Sequence, residues 1–156
     1  MKNIYLIIFL NSILNFAQES KKLTIYTFEE VEKLHQKNPR PHLFFIYTDW
    51  CKICFGMKNT TFQNEQIIEI LNSDFYVVFL NAETKKEITF FGKSFKNTTN
   101  GIHDLAIILA SKNKQIEYPT TVIVNKDLSI ELQFQGFLKS TKLKSVLEPF
   151  LMKNNK

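Results

Sequence analysis

Hydrophobic and polar positions change period several times along the chain, and each change predicts a new element. Leu23-Thr24-Ile25-Tyr26 reads as a short strand. Thr27-Phe28-Glu29-Glu30 matches a capping box, in which a hydroxyl and a carboxylate each satisfy the other residue's backbone amide. Phe28, Val31 and Leu34 share one face of the helix this opens, which runs to about Lys37 and is ended by Pro39 and Pro41. His42 to Tyr47 is then an unbroken apolar run of strand length, the pattern of a strand covered on both faces. A helix from the cysteines to near Phe62 follows, and Asn64 can cap another with Ile67, Ile68 and Leu71 inward. Phe75 to Leu80 gives a second buried strand.

The second half is less regular at first. Ile88 to Lys96 predicts a small hairpin turning at Gly92, an insertion that could wall a substrate or merely decorate the fold. Asp104 to Ala110 is a short helix packed by Leu105, Ile108 and Leu109. Thr120 to Val124 and Ile130 to Phe134 form a strand pair about the turn Asn125-Lys126-Asp127, closed by Gly136. Ser140 can cap a last helix whose buried stripe is Leu143, Val146, Leu147 and Phe150. Strands and helices alternate, which predicts an α/β domain with helices on both faces of the sheet.

Composition narrows the class. The 156 residues are 44% hydrophobic and include fifteen phenylalanines, enough for one core. The net charge of +5 comes mostly from dispersed lysines, with Arg40 the single arginine, so a phosphate-reading surface and a nucleic-acid partner are not expected. Residues 1–17 read as a secretory signal: Lys2, an apolar centre from Ile4 to Leu10, and Ala17 at a cleavage point before Gln18. The expected organisation is therefore a signal peptide over 1–17 and one domain over 18–156.

Candidate chemistry sits between the first buried strand and the following helix, at Tyr47-Thr48-Asp49-Trp50-Cys51-Lys52-Ile53-Cys54. Cys51 and Cys54 are the only cysteines, and two residues between them allow a dithiol and a disulfide to interconvert on one helical turn. Amides and the dipole at a helix N-terminus favour a thiolate there. Cys51, at the tip, is the expected nucleophile and Cys54, one turn in, the resolving thiol. A structural disulfide and half of a metal site are the competing readings. The first is weakened because so small a loop constrains the unfolded chain little; a zinc site needs two more ligands, and His35, His42 and His103 are not at ligand spacing.

Asp49-Trp50-Cys51-Lys52-Ile53-Cys54, with Tyr118-Pro119-Thr120 downstream, resembles the thioredoxin superfamily over roughly residues 23 to 151, and in particular the thioredoxin-like domains of bacterial cell-envelope proteins such as the carboxy-terminal domain of DsbD. The resemblance implies a thioredoxin fold, a mixed central sheet flanked by helices, with the hairpin as an insertion. It implies that Pro119 is cis and that Trp50, Tyr118 and Pro119 line a peptide groove. Lys52 and Ile53, in place of the Gly-Pro of thioredoxin, would tune the potential. Thioredoxins proper carry a buried aspartate six residues before the first cysteine; here Phe45 stands there, so the proton route to the resolving thiol must differ.

The function so implied is that of an exported thiol-disulfide oxidoreductase, reducing protein disulfides in the periplasm or cell envelope. It would act as a monomer, with no cofactor beyond the Cys51 and Cys54 pair and no metal. Its partners would be disulfide-containing proteins and a separate electron-donor protein, which can be membrane-embedded. The alternative is a binding module on the same scaffold, with a locked disulfide or a copper(I) port.

Overall fold

The computed structural model describes residues 21–152, apart from 99 and 114 and the side chain of residue 152. The expected signal segment and its cleavage point before Gln18 lie outside the described residues. Helix α1 (Phe28–Lys37) begins with the expected capping box: Thr27 Oγ1 accepts from the Glu30 amide, and Glu30 Oε2 accepts from the Thr27 amide. Strand β1 (His42–Tyr47) keeps the limits of its apolar run. Helix α2 (Lys52–Asn59) is followed by a single 3₁₀ turn, Thr61–Gln63. α3 (Glu65–Asp74) is capped by Asn64, whose Oδ1 accepts from the Ile67 amide. After β2 (Tyr76–Asn81) come β3 (Ile88–Phe90) and β4 (Lys93–Phe95), then α4 (Asp104–Ala110), β5 (Thr120–Val124), β6 (Ile130–Gln135) and α5 (Ser140–Met152).

The central sheet has the order β2-β1-β5-β6, with β1 parallel to β2 and the other two pairings antiparallel. It is the mixed sheet that the sequence implies. Because side chains alternate across a strand, β1 feeds two separate cores. Leu43 and Phe45 face one, with Met57, Phe62, Leu71, Leu143 and both cysteines, under α2, α3 and α5. Phe44 and Ile46 face the other, with Phe28, Val31, Leu105 and Leu109, under α1 and α4.

Four expectations need correction. Leu23 to Tyr26 is not a strand; the Tyr26 amide donates to the Val77 carbonyl, but no ladder forms beside it. The helix from the cysteines breaks at Thr60, so it does not run unbroken to Phe62. Ile108 is exposed rather than packed, while Ala106 and Ala110 fill the buried side of α4, so the true stripe was set by small residues that carry a weak pattern. Ser140 is already inside α5; the Lys139 carbonyl accepts from the Leu143 amide and occupies the capping position.

The hairpin forms about Phe91 and Gly92, both with positive φ, as a two-residue turn of the primed type requires. Its side chains close the second core: Phe90 lies 5.1 Å from Phe28 and 5.9 Å from Phe44, and the Phe91 amide donates to Glu32 Oε2 on α1. Phe91 also packs on His35, and Phe90 on His42, at the start of β1. The tip thus sits on the sheet face opposite the cysteines and at the other end of β1.

Candidate functional site

β1 delivers the chain to a tight turn at its carboxyl end. The Cys51 amide donates to the Thr48 carbonyl, which folds Asp49 and Trp50 outward and leaves Cys51 as the N-cap of α2. Cys51 Sγ accepts from the Cys54 amide at 3.0 Å. This is a capping bond made by sulfur, and it places the sulfur where the unpaired amides and the positive end of the dipole favour negative charge.

The two sulfurs are bonded, with a Cα–Cα separation of 5.2 Å. Cys51 retains 7% exposure and Cys54 only 1%. Attack from outside can therefore reach Cys51 far more readily than Cys54, an asymmetry that suits an entry thiol and a shielded resolving thiol.

Around Cys51 the surface is apolar and open. Trp50, Ile53 and Phe55 are exposed, at 67%, 56% and 71%. Trp50 is nevertheless held on two sides: its Nε1 donates to Glu83 Oε1 at 3.0 Å, and its ring meets Tyr118 edge-on at 5.9 Å. The Tyr118-Pro119 peptide bond is cis. Pro119 is buried, and its carbonyl accepts from the Gly136 amide, fixing the loop to the end of β6. Burial, helped by the nearby Glu83 carboxylate, pushes the Tyr118 phenol above its ordinary range. Lys52 is exposed. Trp50, which precedes Cys51 in the chain, thus meets Tyr118 of the cis-proline loop, while Lys52 and Ile53 are exposed on the first turn of α2.

Sequence reasoning missed Glu83, Phe55 and Lys58. Glu83 carries no local signal, because its role depends on the loop after β2 meeting Trp50. Phe55 follows Cys54 and reads as core by hydrophobicity, yet the turn of α2 leaves it in solvent. Lys58 stands one turn beyond Cys54 and lies on the Tyr47 ring, 2.9 Å from its centroid. Asp49 accepts from Asn81 Nδ2 at 2.8 Å, in line with an exposed turn residue.

The position six residues before Cys51 is filled as the sequence says. Phe45 packs at 5.0 Å against both Phe62 and Phe79, so an aromatic cluster stands in the core that also holds the two cysteines. Among the described residues no group of three or more His, Cys, Asp or Glu side chains is placed to hold a metal ion. His35 and His42, although not at ligand spacing, do meet: His35 Nδ1 and His42 Nε2 are 3.0 Å apart, in the second core.

No family model matches the sequence, and no curated protein matches it. Solved structures do. A protein described as DsbH oxidoreductase superposes with a TM-score of 0.61 at 13% identity, covering 84% of this chain and 86% of its own. A thioredoxin from Thermus thermophilus gives 0.61 at 18% identity, covering 86% and 91%. The oxidised carboxy-terminal domain of DsbD from Neisseria meningitidis gives 0.55 at 16% identity, covering 81% and 99%. Identities this low carry the fold alone, and the fold is that of thioredoxin.

Proposed function

We propose that the protein is an exported thiol-disulfide oxidoreductase that reduces protein disulfides through a Cys51 and Cys54 dithiol/disulfide cycle. The observation that carries this reading is the Cys51–Cys54 disulfide at the first turn of α2, capped by a backbone amide and bordered by exposed Trp50 and half-buried Tyr118. Fold alone does not assign an activity; what supports the reading is a sulfur held at a helix N-terminus with slight exposure, bonded to a more shielded partner beside an apolar surface on which a peptide can lie.

In the reductive direction the Cys51 thiolate attacks one sulfur of a substrate disulfide. A mixed disulfide forms and the other substrate sulfur leaves as a thiolate, which water protonates. Cys54, deprotonated, then attacks Cys51 Sγ; the bond from Cys51 to the substrate breaks, and the Cys51–Cys54 disulfide results. Two electrons have passed to the substrate, and a separate dithiol donor protein returns them. Trp50, Tyr118 and Pro119 would hold the substrate strand, and Lys52 and Ile53 would tune the potential of the pair. The export that this role requires rests on the amino-terminal pattern.

Cys54→Ser removes the resolving thiol and should accumulate mixed disulfides with protein substrates, seen as adducts on non-reducing gels that vanish with reductant. Cys51→Ser should form none. Absence of adducts from the Cys54→Ser protein under conditions where free Cys51 is reactive toward a small disulfide would reject the protein-reductase reading.

A further inference from the structure

Lys58 is a cation in an unusual place. It follows Cys54 by four residues on α2, so the two share a face of the helix, and a long helical side chain leans back over the turn on its amino-terminal side. Here that turn carries Cys54. The Lys58 ammonium is half-buried, 2.9 Å from the Tyr47 ring centroid and 5.8 Å from that of Phe79. Both rings pack on the core that contains the two cysteines. Lys58 forms no ion pair among the described residues, for Asp49 is bound to Asn81. Burial draws its ammonium below the ordinary lysine range, with Asp49 opposing that shift.

Cys54 has the complementary problem. At 1% exposure, in the same core as Phe45, Phe62 and Phe79, a thiolate there is disfavoured by its apolar surroundings. Charged and titratable groups stand on several of the segments around it. Lys52 and Lys58 stand on α2, Asp49 on the active turn and Tyr47 at the end of β1. Glu83 follows β2 and is engaged by Trp50, and Tyr118 precedes β5. Lys58 is the cation on the face of Cys54.

We propose that the Lys58 ammonium is a positioning charge for Cys54, favouring its thiolate in the step that releases substrate from the mixed disulfide. The proposal rests on the oxidoreductase reading for its place in the cycle. In that step the Cys54 proton passes to water, the new Cys51–Cys54 bond forms as the bond from Cys51 to substrate breaks, and the departing substrate sulfur takes the electron pair. Lys58 exchanges no atom. It supplies the opposite charge where the aspartate position offers only Phe45.

The test is a thiol titration in the full chain, followed by ultraviolet thiolate absorbance in a Cys51→Ser background that leaves Cys54 as the single thiol. Lys58→Met should raise the Cys54 midpoint by about half a unit to one unit. Lys58→Arg should keep it near the parent, and Lys58→Glu should raise it beyond Lys58→Met. An order that follows charge supports the proposal. Equal midpoints in all four proteins overturn it, as does an equal rise for Arg and Met, which would mark a packing effect. Should Lys58→Met unfold, the Arg and Glu pair alone still decides. The titration needs no turnover, so failure of Cys54→Ser to trap substrates would reject the oxidoreductase reading while leaving this result standing.

Discussion

At the scale of single residues, the site combines strong constraint with one deliberate looseness. Trp50 is two-thirds exposed yet tied by Glu83 and Tyr118, so it offers an apolar surface without paying the full freedom of a mobile side chain. Tyr118 is different: its hydroxyl is buried and finds no hydrogen-bond partner among the described residues. Removing it loses no bond and relieves a desolvated group. Tyr118→Phe should therefore leave stability unchanged within about 0.5 kcal/mol, or raise it by up to ~1 kcal/mol, as read from urea denaturation. A loss well above 1 kcal/mol would mean that the hydroxyl is satisfied in solution. What the sequence made legible here were Cys51, Cys54 and Trp50, whose neighbours in the chain define them, and, only through the resemblance to thioredoxins, the cis Pro119. Glu83 and Lys58 were not, because each gains its meaning from a contact that only the folded chain creates.

At the scale of elements, α1 and β1 are joined through a pair of imidazoles. His42 is fully buried, its Nε2 is 3.0 Å from His35 Nδ1, and aromatic rings of Phe44, Tyr76, Phe90 and Phe91 surround it. Burial first, and the neighbouring His35 second, push the His42 pKa down from 6.5 to about 3. The unfolded chain therefore binds a proton on His42 before the folded one does. Stability is complete above about pH 6.5, falls as pH drops through the window toward 3, and is flat below it. By pH 5 this one group should remove about 2 kcal/mol. Urea midpoints at pH 7 and pH 5 measure the loss, and His42→Phe should cancel most of it; an equal acid loss in His42→Phe would assign the effect elsewhere. The sequence could place both histidines on their elements. It could not reveal that they touch, since six residues, two of them prolines, separate them.

At the scale of the whole molecule, two cores on one sheet carry the fold, and the disulfide is an addition to them. A loop closed by residues three apart restrains the unfolded chain weakly, about 2 kcal/mol by chain entropy. Reduction should accordingly leave the far-ultraviolet circular dichroism intact and lower the thermal midpoint without abolishing a cooperative transition. Loss of the fold on reduction would make the bond a structural staple and argue against a redox cycle. The alternation of buried strands and amphipathic helices was readable because burial imposes period two or 3.6 on the sequence. Leu23 to Tyr26 misled because a short alternating stretch can lie beside a sheet edge and join it through a single bond. The Phe91-Gly92 turn, finally, lies far from the disulfide, across the sheet and at the opposite end of β1. That distance makes it a natural place to graft an affinity tag or an immobilising anchor: a surface bearing the protein by this tip would present the disulfide end outward, toward the solution.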